Sequence, residues 1–338
     1  MRRHLTPLKI AGSVVVLGLV TILILFSLPS GKYILLVDVA HPVAPFMQVQ
    51  DARPANAESV YFVDVQERKA SELEALFPWI HQHASLEPAG NIVPPCATAA
   101  QAIAAGLQEM AVSQRVAAAV ALRHLGYHVV VQPTGVFVSQ LIAGTHAPCN
   151  LQPMDRILDV DGHPTPTVAA LRSALRLLRP GDVAVLRIRR AGHLLTARIR
   201  TVGLKEEPGR AFVGFAPEQA ATIKLPIRVS INLPEVGGPS AGLAFALEVM
   251  QRLGKNVTHG HRVAATGEME LNGAVAAIGG VEQKTYGVRK AGADVFLVPA
   301  DGGNAAVARR YAGPVRIIPV RTFSQALRAL ATLPQARQ

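Results

Sequence analysis

From Ile10 to Gly31 the chain carries no charged residue, and its run AGSVVVLGLVTILILFSL would be apolar on every face of a helix. A stretch of that length reaches across a bilayer. Arg2, Arg3 and Lys9 precede it, which predicts a cytoplasmic N-terminus and an extracytoplasmic remainder after Lys32. A cleaved signal peptide fits less well. The run exceeds the usual apolar core of about 7–15 residues, and Ser27-Leu28-Pro29-Ser30 is a poor small-x-small cleavage site. Residues 1–31 are therefore expected to form a cytoplasmic tip and a single-pass cell-membrane anchor.

Beyond the anchor the hydrophobic period changes repeatedly. Residues 32–126 read as a mixed strand and helix segment. Tyr33-Ile34-Leu35-Leu36-Val37 and Val60-Tyr61-Phe62-Val63 are short strand-like runs, 68–95 is irregular, and Thr98 to His124 is rich in helix formers, with Gly126 placed to end it. Residues 127–203 are β-rich. Val129-Val130-Val131, Gly135–Ser139 and Asp155–Val160 predict strands, Val168–Leu178 an amphipathic helix, and Asp182–Arg190 with His193–Arg200 a hairpin across Ala191-Gly192. Lys205–Gly209 reads as a linker. From 210 to 335 strands and helices alternate, giving an α/β or α+β unit.

The net charge is +11, but Lys and Arg are dispersed. Arg187, Arg189, Arg198 and Arg200 alternate with apolar residues, as on the solvent face of a hairpin, and no nucleic-acid-binding motif accompanies them. No nucleic-acid partner is expected; a basic face near an anionic membrane is the better use. Cys96 and Cys149 form either one disulfide or two free thiols, since spacing alone does not bring two Cα atoms within bridging range. Neither has a second ligand at metal-site spacing, and His259-Gly260-His261 has no third, so neither a metal nor another cofactor is expected.

Two segments carry candidate chemistry. Gly237-Gly238-Pro239-Ser240-Ala241-Gly242 follows the strand Ile227–Ile231 and opens a helix with Leu243, Leu247 and Met250 on one face. A serine there meets free N–H groups and the positive helix end. Gly279-Gly280-Val281-Glu282-Gln283-Lys284 opens a second helix, with Lys284 in its first turn among apolar neighbours. Desolvation would lower the amine pKa and let it serve as a base toward a serine hydroxyl. Each segment alone reads as ordinary structure, an N-cap serine and a solvated helix lysine.

Taken together, PEVGGPSAG, AATGEMELNGAVAAIGGVEQK and KAGADVFLVPA resemble, in order and spacing, the proteolytic domain of the Lon family. The resemblance implies that Ser240 is the nucleophile and Lys284 its general base. Thr266 would support the lysine, and Gly238, Pro239 and Ala241 would help hold the oxyanion. Gly237 stands where ATP-dependent members often have aspartate. Likewise GVFVSQLIAGTHA and LQPMDRILDVDGHP resemble a PDZ domain of the bacterial permuted type, with Met154 where glycine is usual. That implies a peptide groove beside Leu171, Leu175 and Leu178, with Leu125-Gly126-Tyr127 the candidate for its carboxylate-binding loop.

The expected protein is multidomain: a transmembrane helix, a β-rich PDZ-like domain and an α+β Lon-type proteolytic domain. No G-x-x-x-x-G-K-[ST] occurs in the chain. The expected activity is thus ATP-independent serine endopeptidase action on polypeptides. Lon-type domains often form rings, which is the ground for expecting a homo-oligomer. The alternative is a catalytically inactive, PDZ-containing peptide-binding adaptor at the membrane.

Overall fold

The computed structural model describes residues 7–52, 60–142, 144–203, 207 and 209–335, with side chains from residue 11 onward. Most of the expected linker at 205–209 lies outside the described residues, as do Arg2 and Arg3. Helix α1 (Pro7–Ser27) ends earlier than the uncharged run does. From Pro29 the chain is already strand β1 (Pro29–Val37). Among the described residues no helix is long and apolar enough to cross a membrane, so the expected transmembrane span finds no support in the fold.

After β1 come β2 (Val60–Phe62), β3 (Val65–Ser71), the short helix α2 (Glu72–Leu76) and β4 (Ser85–Pro88). Strands β3, β1 and β4 form an antiparallel sheet in that order, so the stretch expected to be irregular is partly ordered. Helix α3 (Ala99–His124) starts at a capping box, in which the Thr98 hydroxyl accepts from the Gln101 N–H and the Gln101 side chain accepts from Thr98. It ends before Gly126, whose φ is +85°.

The β-rich unit comprises β5 (Val130–Leu141), β6 (Arg156–Val160), α4 (Val168–Leu175), β7 (Val183–Arg190), β8 (His193–Arg200) and β9 (Phe215–Lys224). Its main strand order is β8-β7-β6-β5-β9. Arg190 faces His193 across Ala191-Gly192, the hairpin that alternation predicts, and Arg187, Arg189, Arg198 and Arg200 are exposed. Edge strand β9 lies beyond the expected boundary at 203. Met154, in the glycine position of the resemblance, holds φ +66° and is buried.

Further along the chain come α5 (Gly242–Arg252), β10 (Val263–Ala265), β11 (Glu268–Met269), α6 (Val281–Lys290), β12 (Val295–Pro299), α7 (Asn304–Tyr311), β13 (Arg316–Val320) and α8 (Phe323–Ala331). Strands β2, β10, β12 and β13 run parallel, and His41–Pro42 adds an antiparallel edge on β2. The sheet therefore takes a strand from well before residue 210. Its core also takes α3: Val116, Ala117 and Ala119–Leu122 are buried with Phe62, Leu243, Phe245, Leu247 and Phe323. The boundaries expected at 126 and 210 do not coincide with breaks in packing. An amphipathic segment buries its apolar stripe against whatever partner completes it, and that partner is not encoded locally.

Candidate functional site

Ser240 lies two residues before α5, after a turn in which Gly238 has φ +82°, a conformation that favours glycine. The turn is tied down from several sides. Gly238 N–H donates to the Gly106 carbonyl of α3 at 2.8 Å, and Ser113 Oγ of α3 donates to the Pro239 carbonyl at 2.9 Å. The Ser240 carbonyl accepts from Gly267 N–H at 2.7 Å and from Thr266 Oγ1 at 3.1 Å.

Lys284 occupies the first turn of α6, whose preceding residue Gly280 is left-handed with φ +66°. The residue is only 4% exposed, and its Nζ lies 2.7 Å from Ser240 Oγ, within hydrogen-bonding range. Burial lowers the amine pKa from 10.5 to about 8, against a partly offsetting pull from Asp64. Two groups 44 residues apart in sequence are thus in direct contact.

The supporting residues divide differently from expectation. Thr266 donates its hydroxyl proton to the Ser240 carbonyl and so fixes the serine backbone. Gly238 spends its N–H on Gly106 and Pro239 has none, so neither can donate to an oxyanion. The Ser240 and Ala241 N–H groups have no acceptor among the described residues. They are the donors left at this turn.

Sequence reasoning missed Asp64, which follows the apolar run Val60–Val63. Its Oδ1 is buried without a hydrogen-bond partner, and burial, then the Asp38 charge, raise its pKa. Asp38, His41 and Asp64 bring potential ligand atoms within 4.8 Å of one another. The set could hold a cation, although Asp38 Oδ1 already accepts from Val39 N–H. Sequence reasoning also missed α3 as the wall of the serine turn. The long helical pattern was legible; its partner was not.

A cavity of about 270 Å³ adjoins the turn at Pro239 and is lined by Glu109 and Ser113 of α3, Gln140 of β5, Glu218 of β9 and Glu268 of β11. Burial, then neighbouring carboxylates, push Glu109 and Glu218 up to about 7 and raise Glu268. Glu109 and Gln140 also line a larger cavity of about 710 Å³. Cys96 and Cys149 form a disulfide, their Cα atoms 5.1 Å apart.

Residues 221–331 match the Lon protease (S16) C-terminal proteolytic domain. The Lon protease of Mesomycoplasma hyopneumoniae (strain 232) is 35% identical over 103 residues, covering 29% of this chain and 12% of that protein. Lon protease 2 of Bacillus subtilis (strain 168) is 34% identical over 113 residues, 32% of this chain and 20% of that protein. The chain thus spans a fifth or less of these two relatives. Ser240 and Lys284 both fall inside the matched residues. The crystal structure of the PDZ domain of an SdrC-like protein from Listeria monocytogenes is similar at 19% identity and a TM-score of 0.23, covering 25% of this chain and 87% of that one.

Of the expected groove residues, Leu171 is a core residue at 1% exposure. Leu171 and Leu175 line a cavity of about 160 Å³ with Phe212 and Phe215, whereas Leu178 packs against the core of this unit and is not part of that lining. Leu125-Gly126-Tyr127 closes α3; the chain beside this cavity is Arg210–Val213.

Proposed function

We propose that the protein is an ATP-independent serine endopeptidase with a Ser240–Lys284 dyad, held to a membrane by α1. The observation that carries the reading is the 2.7 Å approach of a desolvated amine to the Ser240 hydroxyl. In this reading the neutral amine accepts the hydroxyl proton as Ser240 Oγ attacks the scissile carbonyl. The Ser240 and Ala241 N–H groups receive the developing oxyanion. Lys284 then gives its proton to the departing amine, and water, activated by the same amine, releases the acyl group.

The absence of a P-loop sequence in these 338 residues supports hydrolysis without nucleotide. Extended or already unfolded polypeptides are then the fitting substrates. The PDZ-like unit would take such a chain as an added strand on the free edge of β9, beside α4 and the Leu175–Phe215 cavity. The anchor reading rests on the sequence: Ile10 to Gly31 holds no charged residue, and Arg2, Arg3 and Lys9 precede it.

Casein hydrolysis without nucleotide tests the activity. Ser240→Ala and Lys284→Ala should each lose about 10³-fold or more, the scale on which members of such constellations act. Full processing by both variants would overturn the enzyme reading and leave a peptide-binding adaptor.

A further inference from the structure

Exposed apolar residues run from the end of α2 into the loop after it: Leu76 is 60% exposed, Trp79 77% and Ile80 47%. Phe77 packs edge-on against Trp79, with ring centroids 6.1 Å apart. Trp79 is the chain's single tryptophan, and no residue from Leu76 to Ile80 is charged.

The loop is held firmly. Glu74, nearly fully buried, accepts from the Ser71 N–H and hydroxyl and forms a two-point ion pair with Arg68, while His81 Nε2 sits 2.6 Å from its Oε1. One carboxylate therefore fastens both ends of the segment. A large aromatic fixed in water by such a clamp wastes its apolar surface unless something covers it.

The position of the loop says what covers it. Glu72 N–H donates to the Leu28 carbonyl at 2.8 Å, so α2 begins where α1 ends. The α1 side chains are exposed around the helix, including Val14, Leu17, Leu23 and Phe26. A helix apolar on all faces needs an apolar surrounding. Exposed apolar surface thus runs from α1 onto the loop, with a tryptophan at its margin, where indole rings favour the membrane–water boundary.

We propose that Leu76–Ile80 seats in the interfacial zone of a phospholipid bilayer, beside the exit of α1, and fixes the orientation of the folded body on the membrane. The proposal rests on the reading of α1 as an anchor. The loop also lies close to the dyad's helix: Gln283, next to Lys284, donates to the His83 carbonyl at 3.0 Å, just beyond the loop.

The full chain, reconstituted in vesicles of phosphatidylcholine and phosphatidylglycerol at roughly three to one to give an anionic surface, tests this through its single tryptophan. The expected result is emission shifted to shorter wavelength, quenched by lipids brominated near the headgroup more than near the chain end, and protected from aqueous iodide. Leu76→Asp/Ile80→Asp should return the emission to longer wavelength. Alkaline extraction separates the two readings. A chain retained at high pH whose tryptophan is quenched by iodide and not by lipid overturns the docking loop and leaves the anchor standing. A chain released by alkali yet quenched by lipid at neutral pH overturns the anchor and keeps the loop, whereas release without lipid quenching overturns both. Protection from both quenchers means that a second copy covers the loop, and loss of lipid quenching in concentrated salt means adsorption by charge; either overturns the proposal.

Discussion

At the scale of single residues, two opposing effects set the Lys284 amine. Burial disfavours its charge and Asp64 favours it, with burial the larger. At about 8, roughly one molecule in ten carries the neutral amine at pH 7, so a base is available without full deprotonation. Asp64→Asn removes the stabilising charge. The rising limb of kcat/KM against pH should then move to lower pH while the maximum rate is retained. A limb that stays in place would remove Asp64 from the electrostatics of the dyad. The depressed amine also bears on folding. It supports the native state fully above the ordinary lysine value of 10.5, and that support is lost as pH falls through about 8. The Ser-Lys pair was legible because glycine-rich turns bracket both residues at helix starts. Asp64 was not legible, because a lone acid after an apolar strand says nothing about what it faces.

At the scale of elements, α3 decides where the serine turn sits. Its Gly106 and Ser113 take one hydrogen bond each from or to the turn, and the Gly237 backbone packs directly on Gly106. Ser113→Ala frees the Pro239 carbonyl and should lower kcat several-fold with little change in KM, at a cost of about 1 kcal/mol in stability. An unchanged kcat would mean that the turn holds itself. On the other side, α6 comes so close to the chain at Asp38 that a Cβ on Gly287 would collide with the Asp38 carbonyl. Gly287→Ala should displace the helix carrying Lys284 and lower both activity and Tm. The helices themselves were legible from period and caps, as Thr98 and Gly126 illustrate. Which elements they meet was not, since contacts such as Ser113 with Pro239 join residues far apart in sequence. The oxyanion donors show the same limit: only the fold reveals that Gly238 has already spent its N–H.

At the scale of the whole molecule, α3, the β8-β7-β6-β5-β9 sheet and the segment around β11 meet at the Glu109–Glu218–Glu268 cavity. The raised carboxyls make this junction pH-sensitive. Their support for the packed arrangement is fully present below the ordinary glutamate value of 4.5 and is lost as pH rises through about 7. Glu109→Gln/Glu218→Gln should therefore raise Tm at pH 8 more than at pH 5, and equal changes at both would show that the cavity carboxyls do not titrate against one another. The disulfide closes a span of 53 residues onto the same region. Cys96→Ser/Cys149→Ser should cost about 4 kcal/mol in the chain-entropy estimate, read from denaturant midpoints. Neither feature was legible beforehand: the cysteine spacing left pairing open, and no local pattern brings Glu109 to Glu218.

The dyad is tested most directly by the pH dependence of acylation at Ser240. A serine-directed covalent probe, followed by mass spectrometry, should label Ser240 at a rate that rises with pH to a midpoint near 8 and collapses in Lys284→Ala. Labelling of Ser240 that is flat across this range, or undiminished without the lysine, would contradict the account.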